Sequence, residues 1–304
     1  MEKFKEILFL NSIKRVGKKT IYKKYWNVLV NARDFDDLVN KMKSIFDNDK
    51  ITDALNKSEN IYNQVINDSE INVITVFDDN YPKKLHVIGN EKPLILYVKG
   101  NIDALTKPNI AIIGTRKPSE LSQRFEQNLV ENIVNTTDRV IVSGLALGCD
   151  KIAHQTTVDE NKITIAVLPS GVNVIKPAKH KKLASEIIET GGCLVSEYLP
   201  DANVTRGSYV ERDKIVAAFS DATFVIECGI KSGTMHTVNA ACEYQRQIYS
   251  YLPDEMPEDT YDGNEFILQN NQDALKVENI EEFLDDLETL KTKKTTNSVQ
   301  QTLF

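Results

Sequence analysis

Cysteine is scarce in this chain. Only Cys149, Cys193, Cys228 and Cys242 occur, and no two form a CxxC pair. All four lie inside apolar or helix-like stretches. That points to free thiols in a reducing compartment and excludes a disulfide framework or a zinc ribbon. Only four histidines are present, with no HExxH and no His/Cys cluster. No metal site, catalytic residue or cofactor is therefore expected. No run of about 18 apolar residues exists, which removes a spanning helix. The opening Met1-Glu2-Lys3-Phe4-Lys5 lacks an apolar signal region with a small-residue cleavage site, so a cytoplasmic location is expected. Positive charge is also short: 37 Lys and Arg stand against 44 Asp and Glu, a net charge of −7. A surface coated in positive charge is excluded. A local basic patch is not.

What remains is ordinary globular material. The 304 residues are 41% hydrophobic and 27% charged, enough for one large domain and a small satellite. Residues 1–68 read as a small helical, Lys-rich domain of helix-turn-helix or SAM-like type. Leu8, Leu10, Ile13 and Val16 precede the turn Gly17-Lys18-Lys19-Thr20. A Gly turn followed by lysines can offer backbone N–H groups to a phosphate. The plainer reading is a packing domain with solvated lysines.

Residues 69–252 read as a Rossmann-like α/β domain. Residues 72–77 and 94–98 alternate as strands. From residue 109 the rhythm is strand, loop, helix. Strands are expected at 109–113, 139–142, 163–168, 193–195, 222–226 and 247–251. Helices are expected at 119–136, 149–158, 178–190, 211–219 and 233–245. Near-continuous apolar strands separated by helices mean a mostly parallel sheet covered on both faces. Residues 253–304 change character: an acidic turn-rich stretch, an acidic amphipathic helix at 279–290, and a flexible tether at 291–299.

Ligands of such sheets bind beyond the carboxyl ends of the strands. The loops there are rich in Gly, Ser and cations. Gly114-Thr115-Arg116 leads to Ser119, a helix cap. Ser143-Gly144 and Gly148 precede Asp150 and His154, which stand four apart and read as a hydrogen-bonded structural pair on one helix face. Ser170-Gly171 follows the third parallel strand. Tyr209, Arg212 and Lys214 open a helix and suit a stacked base with its phosphate held. Lys231-Ser232-Gly233-Thr234 before a helix is the strongest local phosphate signal. It lacks the GxxxxGK[ST] order of a Walker loop. Each loop taken alone is also compatible with a structural turn and solvated cations.

In their order along residues 72–250 these pieces resemble the DprA/Smf family of DNA-processing proteins. The shared run is YPKKLH, KPLILYVKGN, IAIIGTRKPS, VSGLALGCDKIAH, TIAVLPSGVNVIKP, LVSEYLP, YVERDKIVAAFSDATFVIEC and SGTMHTVNAA. The resemblance implies a Rossmann-like domain that binds single-stranded DNA, often as a homodimer, and hands it to a RecA-type recombinase. It places Gly114, Arg116, Ser119, Ser143, Gly144, Gly148, Asp150, His154, Arg212, Lys214, Ser232 and Gly233 on the family's pocket motifs. The chain departs from that pattern. Members usually read Phe-Pro-x-Arg-Asn-Arg where Tyr209-Val210-Glu211-Arg212-Asp213-Lys214 stands. Asp213 and Lys214 both weaken phosphate grip relative to Asn and Arg. The usual Pro-Gly after the last strand is replaced by Tyr251-Leu252-Pro253-Asp254, and no winged-helix pattern follows.

The related LOG-type phosphoribohydrolases use Gly-Gly-x-Gly-Thr-x-x-Glu with a catalytic Glu. Here Met235-His236-Thr237 follows Thr234, so hydrolysis is disfavoured. A nucleotide-binding sensor in the same pocket is the alternative. The residues Gln300-Gln301-Thr302-Leu303-Phe304 resemble the QxxLF peptide that binds the bacterial sliding clamp. Gln300, Leu303 and Phe304 would be its anchors, and the tether its reach.

Overall fold

A computed structural model describes residues 1–254 and 258–300. Nine strands form one sheet: β1 Ile71–Thr75, β2 Ile95–Gly100, β3 Asn109–Ile113, β4 Val140–Ser143, β5 Thr164–Val167, β6 Cys193–Ser196, β7 Ala222–Val225, β8 Gln247–Tyr251 and β9 Leu275–Val277. Their spatial order is β1-β2-β6-β5-β4-β3-β7-β8-β9. The seven strands from β6 to β9 are mutually parallel. Only β1 and β2 run antiparallel to their neighbours. Strands β3, β4, β5, β6 and β7 are buried at every position, as doubly covered strands must be.

The helices stand where the apolar periodicity places them. Ser119 caps the helix Glu120–Thr136, its side chain accepting from the Ser122 N–H. That helix buries Leu129, Val130, Ile133 and Val134 along one stripe. The helix Cys149–Asp159 begins at Gly148, where φ is 74°. A Cβ there would lie 2.2 Å from the Thr115 carbonyl oxygen, so only Gly fits. Among the described residues, no helix is long and apolar enough to cross a membrane.

The N-terminal helices share a core with the sheet. Phe4, Ile7, Leu8, Phe9 and Leu10 pack into one apolar cluster with Leu94, Ile95 and Tyr97 of the β2 region and with Leu145, Ala166 and Leu168. The run 18–30 is continuous helix with a π-helical turn at Ile21–Tyr25 between two α segments.

The expected break at residue 252 is not a break in the sheet. Strand β9 pairs with β8 in parallel, Ser250 opposite Lys276. Phe283 lies edge-on to Phe224 and Tyr249, with ring centroids 5.1 and 4.8 Å away. The acidic helix runs Ile280–Gln300, through the stretch expected to be a tether. No Gly or Pro occurs in 280–300 to stop it. Of the clamp-like peptide, Gln300 ends this helix, while Leu303 and Phe304 lie outside the described residues.

If residues beyond 252 belong to the core, Phe283→Ala should lower stability by about 3–5 kcal/mol. Urea unfolding monitored by circular dichroism measures this. A loss under about 1 kcal/mol would mark the helix as peripheral.

Candidate functional site

The strand order fixes where a ligand can enter. From β3 the order runs β4, β5, β6 to one side and β7, β8, β9 to the other. Loops leaving β3 and β7 therefore part in opposite directions and open a crevice at the carboxyl edge. A pocket of about 540 Å³ lies there. Gly114, Thr115 and Arg116 line it from the β3 loop. Ser232, Gly233, Thr234, His236 and Thr237 line it from the segment after β7. Tyr209, Val210, Arg212, Asp213 and Val216 come from the helix Ser208–Phe219, and Ala146 and Asp150 close the floor. The Thr234 hydroxyl donates to the Gly114 carbonyl at 3.0 Å, tying the two loops together.

Arg212 is the centre of the floor. It is 6% exposed. Its Nη1 lies 3.5 Å from Asp150 Oδ2, and its Nε 3.1 Å from Asp213 Oδ1. The guanidinium occupies the volume a side chain at Gly144 would need: a Cβ there would stand 0.9 Å from Nη1. Asp150 Oδ2 also accepts from the Gly144 and Ala146 N–H groups, each at 3.2 Å. One cation is thus shared by two carboxylates. Burial pushes the Asp213 carboxyl up to about 6, the Arg212 charge opposing the shift and Asp150 adding to it.

Several expected phosphate contacts are corrected here. The Gly144 amide is taken by Asp150, and the Ser119 N–H and hydroxyl both donate to Glu227 Oε2, at 2.9 and 2.8 Å. Ser143 donates to the Ile112 carbonyl at 2.7 Å. Ser170 donates to the Val174 carbonyl at 2.5 Å, and Gly171 makes room for the Leu199 and Pro200 carbonyls. Gly148 serves the close passage beside Thr115. None of these six lines the pocket. Lys214 points away from it, to Glu91 at 2.9 Å and Glu211 at 3.5 Å. Lys231 is exposed and outside the lining. The Asp150–His154 pair is also corrected. His154 is fully buried with Nδ1 2.7 Å from the Thr164 hydroxyl, while Asp150 serves the amides and Arg212. Burial, with nearby His180 and Arg212, lowers the His154 pKa to about 3, so this imidazole is neutral.

What stays open is the rim. Arg116 is exposed, its guanidinium carbon 5.9 Å from the Tyr209 ring centroid. The Ser232 hydroxyl is buried with no protein partner. Among the described residues no group of three or more His, Cys, Asp or Glu could hold a metal ion. Val210, Asp213, Val216, His236 and Thr237 were not anticipated as lining. The helical spacing from Tyr209 through Arg212 and Asp213 to Val216 was the available signal.

A parallel sheet with an anion-sized crevice at its reversal point defines a Rossmann-like ligand-binding protein. The sequence model of the DNA recombination-mediator protein A family matches residues 72–288. The chain belongs to that family. It is 32% identical over 208 residues to Protein Smf of Escherichia coli (strain K12), covering 68% of this chain and 54% of that one. It is 30% identical over 195 residues to the DNA processing protein DprA of Streptococcus pneumoniae, covering 64% and 67%. The chain spans little more than half of several curated relatives, 54%, 59% and 52% of their lengths. The solved Streptococcus pneumoniae protein superimposes with a TM-score of 0.75 at 25% identity, covering 92% of this chain and 96% of that one. The Helicobacter pylori DNA processing protein A, solved for its single-stranded DNA binding mode, gives 0.65 at 29% identity over 72% and 96%.

Two stability changes follow from the floor. Arg212→Ala leaves two buried carboxylates without their cation and should cost about 3–5 kcal/mol. Asp213→Asn should do the opposite. The folded carboxyl binds its proton near pH 6, against 3.8 for an ordinary Asp carboxyl, so the folded state is penalised above that range and relieved as pH falls through it. The Asn variant should gain up to about 3 kcal/mol near neutrality and converge with the parent towards about pH 4. Thermal unfolding across pH reads both; a parent with a flat profile would contradict the buried-acid account.

Proposed function

We propose that the chain binds single-stranded DNA through its sugar-phosphate backbone, with a nucleotide unit seated in the switch-point pocket. The observation that carries this is the pocket itself. It is large enough for one nucleotide and is rimmed by an exposed Arg116 over the face of Tyr209. A free hydroxyl, Ser232, and the start of the helix Thr234–Glu243 also face it. A guanidinium forks onto phosphate, and an aromatic face accepts a base. Family membership and the single-stranded DNA binding mode of the Helicobacter pylori relative support the same reading. The role is binding and delivery, with no catalytic step. The strand would pass to a RecA-type recombinase, the chain acting as a homodimer, with the 300–304 peptide as the anchor on a sliding clamp. Only the family resemblance and the peptide pattern support these last three partners.

A second reading has its own observation. Arg212 is cancelled by Asp150 and Asp213, which leaves a floor suited to one small nucleotide more than to a long polyanion. A nucleotide sensor would be strongly stabilised by one mononucleotide and indifferent to strand length.

Fluorescence anisotropy with a labelled oligothymidylate tests the first reading. Arg116→Ala removes one charge-assisted phosphate contact and should weaken binding by at least about tenfold. Binding by the parent should tighten as pH falls through about 6, because Asp213 then loses its negative charge. Asp213→Asn should bind more tightly at neutral pH and lose that pH dependence. Wild-type affinity in Arg116→Ala would show that the strand lies elsewhere.

A further inference from the structure

The N-terminal segment holds the densest positive charge in the chain. Residues 7–33 contain Lys14, Arg15, Lys18, Lys19, Lys23, Lys24 and Arg33 and not one carboxylate, in a protein of net charge −7. Two of these cations are paired with glutamates. Lys18 lies 2.6 Å from Glu197 and 3.6 Å from Glu211, and Lys19 lies 2.6 Å from Glu91. Lys214 completes the set through Glu91 and Glu211. Three lysines meet three glutamates, so this junction is closed and neutral. Lys14, Arg15, Lys23 and Lys24 remain outside it. All four are exposed, and among the described residues none has an ion pair or hydrogen bond to another side chain. Arg33 keeps Asp37, 3.7 Å away.

Position gives this patch meaning. The helix Ser208–Phe219 shows Tyr209, Arg212, Asp213 and Val216 to the pocket. Its Glu211 and Lys214 face the junction with Lys18 and Glu91. The basic turn therefore lies across one helix from the ligand pocket, and a helix with side chains is about 10 Å thick. Arg206 is exposed in the turn that opens this helix. The neighbouring aromatic residues are engaged: Trp26 stacks on Phe77 at 5.2 Å, and Tyr25 packs against Phe46 at 5.9 Å. Cations whose neighbouring aromatic faces are engaged suit a polyanion in water rather than a bilayer.

We propose that Lys14, Arg15, Lys23 and Lys24 form a second, sequence-independent phosphate-binding surface for the same single strand. The strand leaves the pocket at Arg116, crosses the first turn of the helix Ser208–Phe219 past Arg206, and lies along the N-terminal basic turn. This rests on the single-stranded DNA reading above and extends its footprint. The contact is electrostatic, so its signature is salt dependence and strand length.

The test compares oligothymidylates of about 5 and about 20 nucleotides on the full chain, bracketing the usual length of one site. The variant carries Lys14→Gln, Arg15→Gln, Lys23→Gln and Lys24→Gln, all at exposed positions. The long strand should bind at least about tenfold more weakly, with a log–log salt slope shallower by up to about 2.8, while the short strand keeps wild-type affinity. Arg116→Ala, run beside it, should weaken both lengths. A variant that binds the long strand with the parental slope overturns the second surface and leaves the pocket reading standing. Equal losses on both lengths also overturn it. If the parent binds neither strand, the pocket reading itself fails. A variant that loses affinity for duplex but not for single strand would assign the patch to duplex DNA and refute the shared path.

Discussion

One guanidinium organises the ligand end of this molecule. Arg212 lies under the pocket with its head in the space left by the missing side chain of Gly144. It is held between Asp150 and Asp213. Asp150 in turn pins the Gly144 and Ala146 amides, so the loop after β4, the helix Cys149–Asp159 and the helix Ser208–Phe219 are located by a single buried contact. Removing any one of Gly144, Asp150 or Arg212 leaves the others with a clash or an unmatched charge. The geometry has an electrostatic consequence. With one cation between two carboxylates, the floor is not a source of positive potential while Asp213 is ionised. Attraction for an anion comes from Arg116 at the rim and from the helix start beside Gly233, and the floor acts as scaffold.

How much of this could be read from residues alone depends on the range of the interaction involved. The strand at residues 109–113, the cap at Ser119 and the helix behind it follow from local period and capping chemistry, and they stand where expected. The pocket is set by strand order, which is a property of distant pairings. Nothing in Ser170-Gly171 distinguishes a turn that admits a phosphate from one that admits its own chain. Gly171 turned out to make room for the carbonyls of Leu199 and Pro200. Glycine signals close approach without naming the partner. For Lys214 the helix period already carries the answer. Arg212 and Lys214 are two apart on a helix and cannot share a face, so only one of them could serve the pocket. Strand β9 was hidden for a different reason. At three residues, with Leu275 exposed, it has too little pattern to be seen.

The pieces outside the central sheet are bound into it rather than hung from it. The N-terminal helices share apolar packing with the β2 region, and the residues beyond β8 add a strand and a helix whose Phe283 and Leu287 are buried. Strand β9 extends the sheet beyond β8, away from β3 and β7, while the N-terminal helices pack against it near β2. The loops that leave β3 and β7 stay at the surface, where a ligand can reach them.

An acidic protein proposed to hold a polyanion needs an account of its charge. At physiological salt the field of an exposed charge dies away over about 8 Å, so the carboxylates of the distant C-terminal helix are not felt at the pocket. What matters is the local balance. At the junction Lys18, Lys19 and Lys214 are each matched by a glutamate. This keeps the junction neutral and leaves the unmatched cations outside, in water, where holding them costs little. As proposed, the pocket and the separate basic surface would bind a strand as two linked sites. Linked weak contacts multiply in effect when the spacer fits the span between them. In such an arrangement a Lys at 214, where the resemblance implies an Arg, would be tolerable. Lys214 pairs with Glu91 and Glu211 outside the pocket, and Glu91 in turn holds Lys19 of the N-terminal helices.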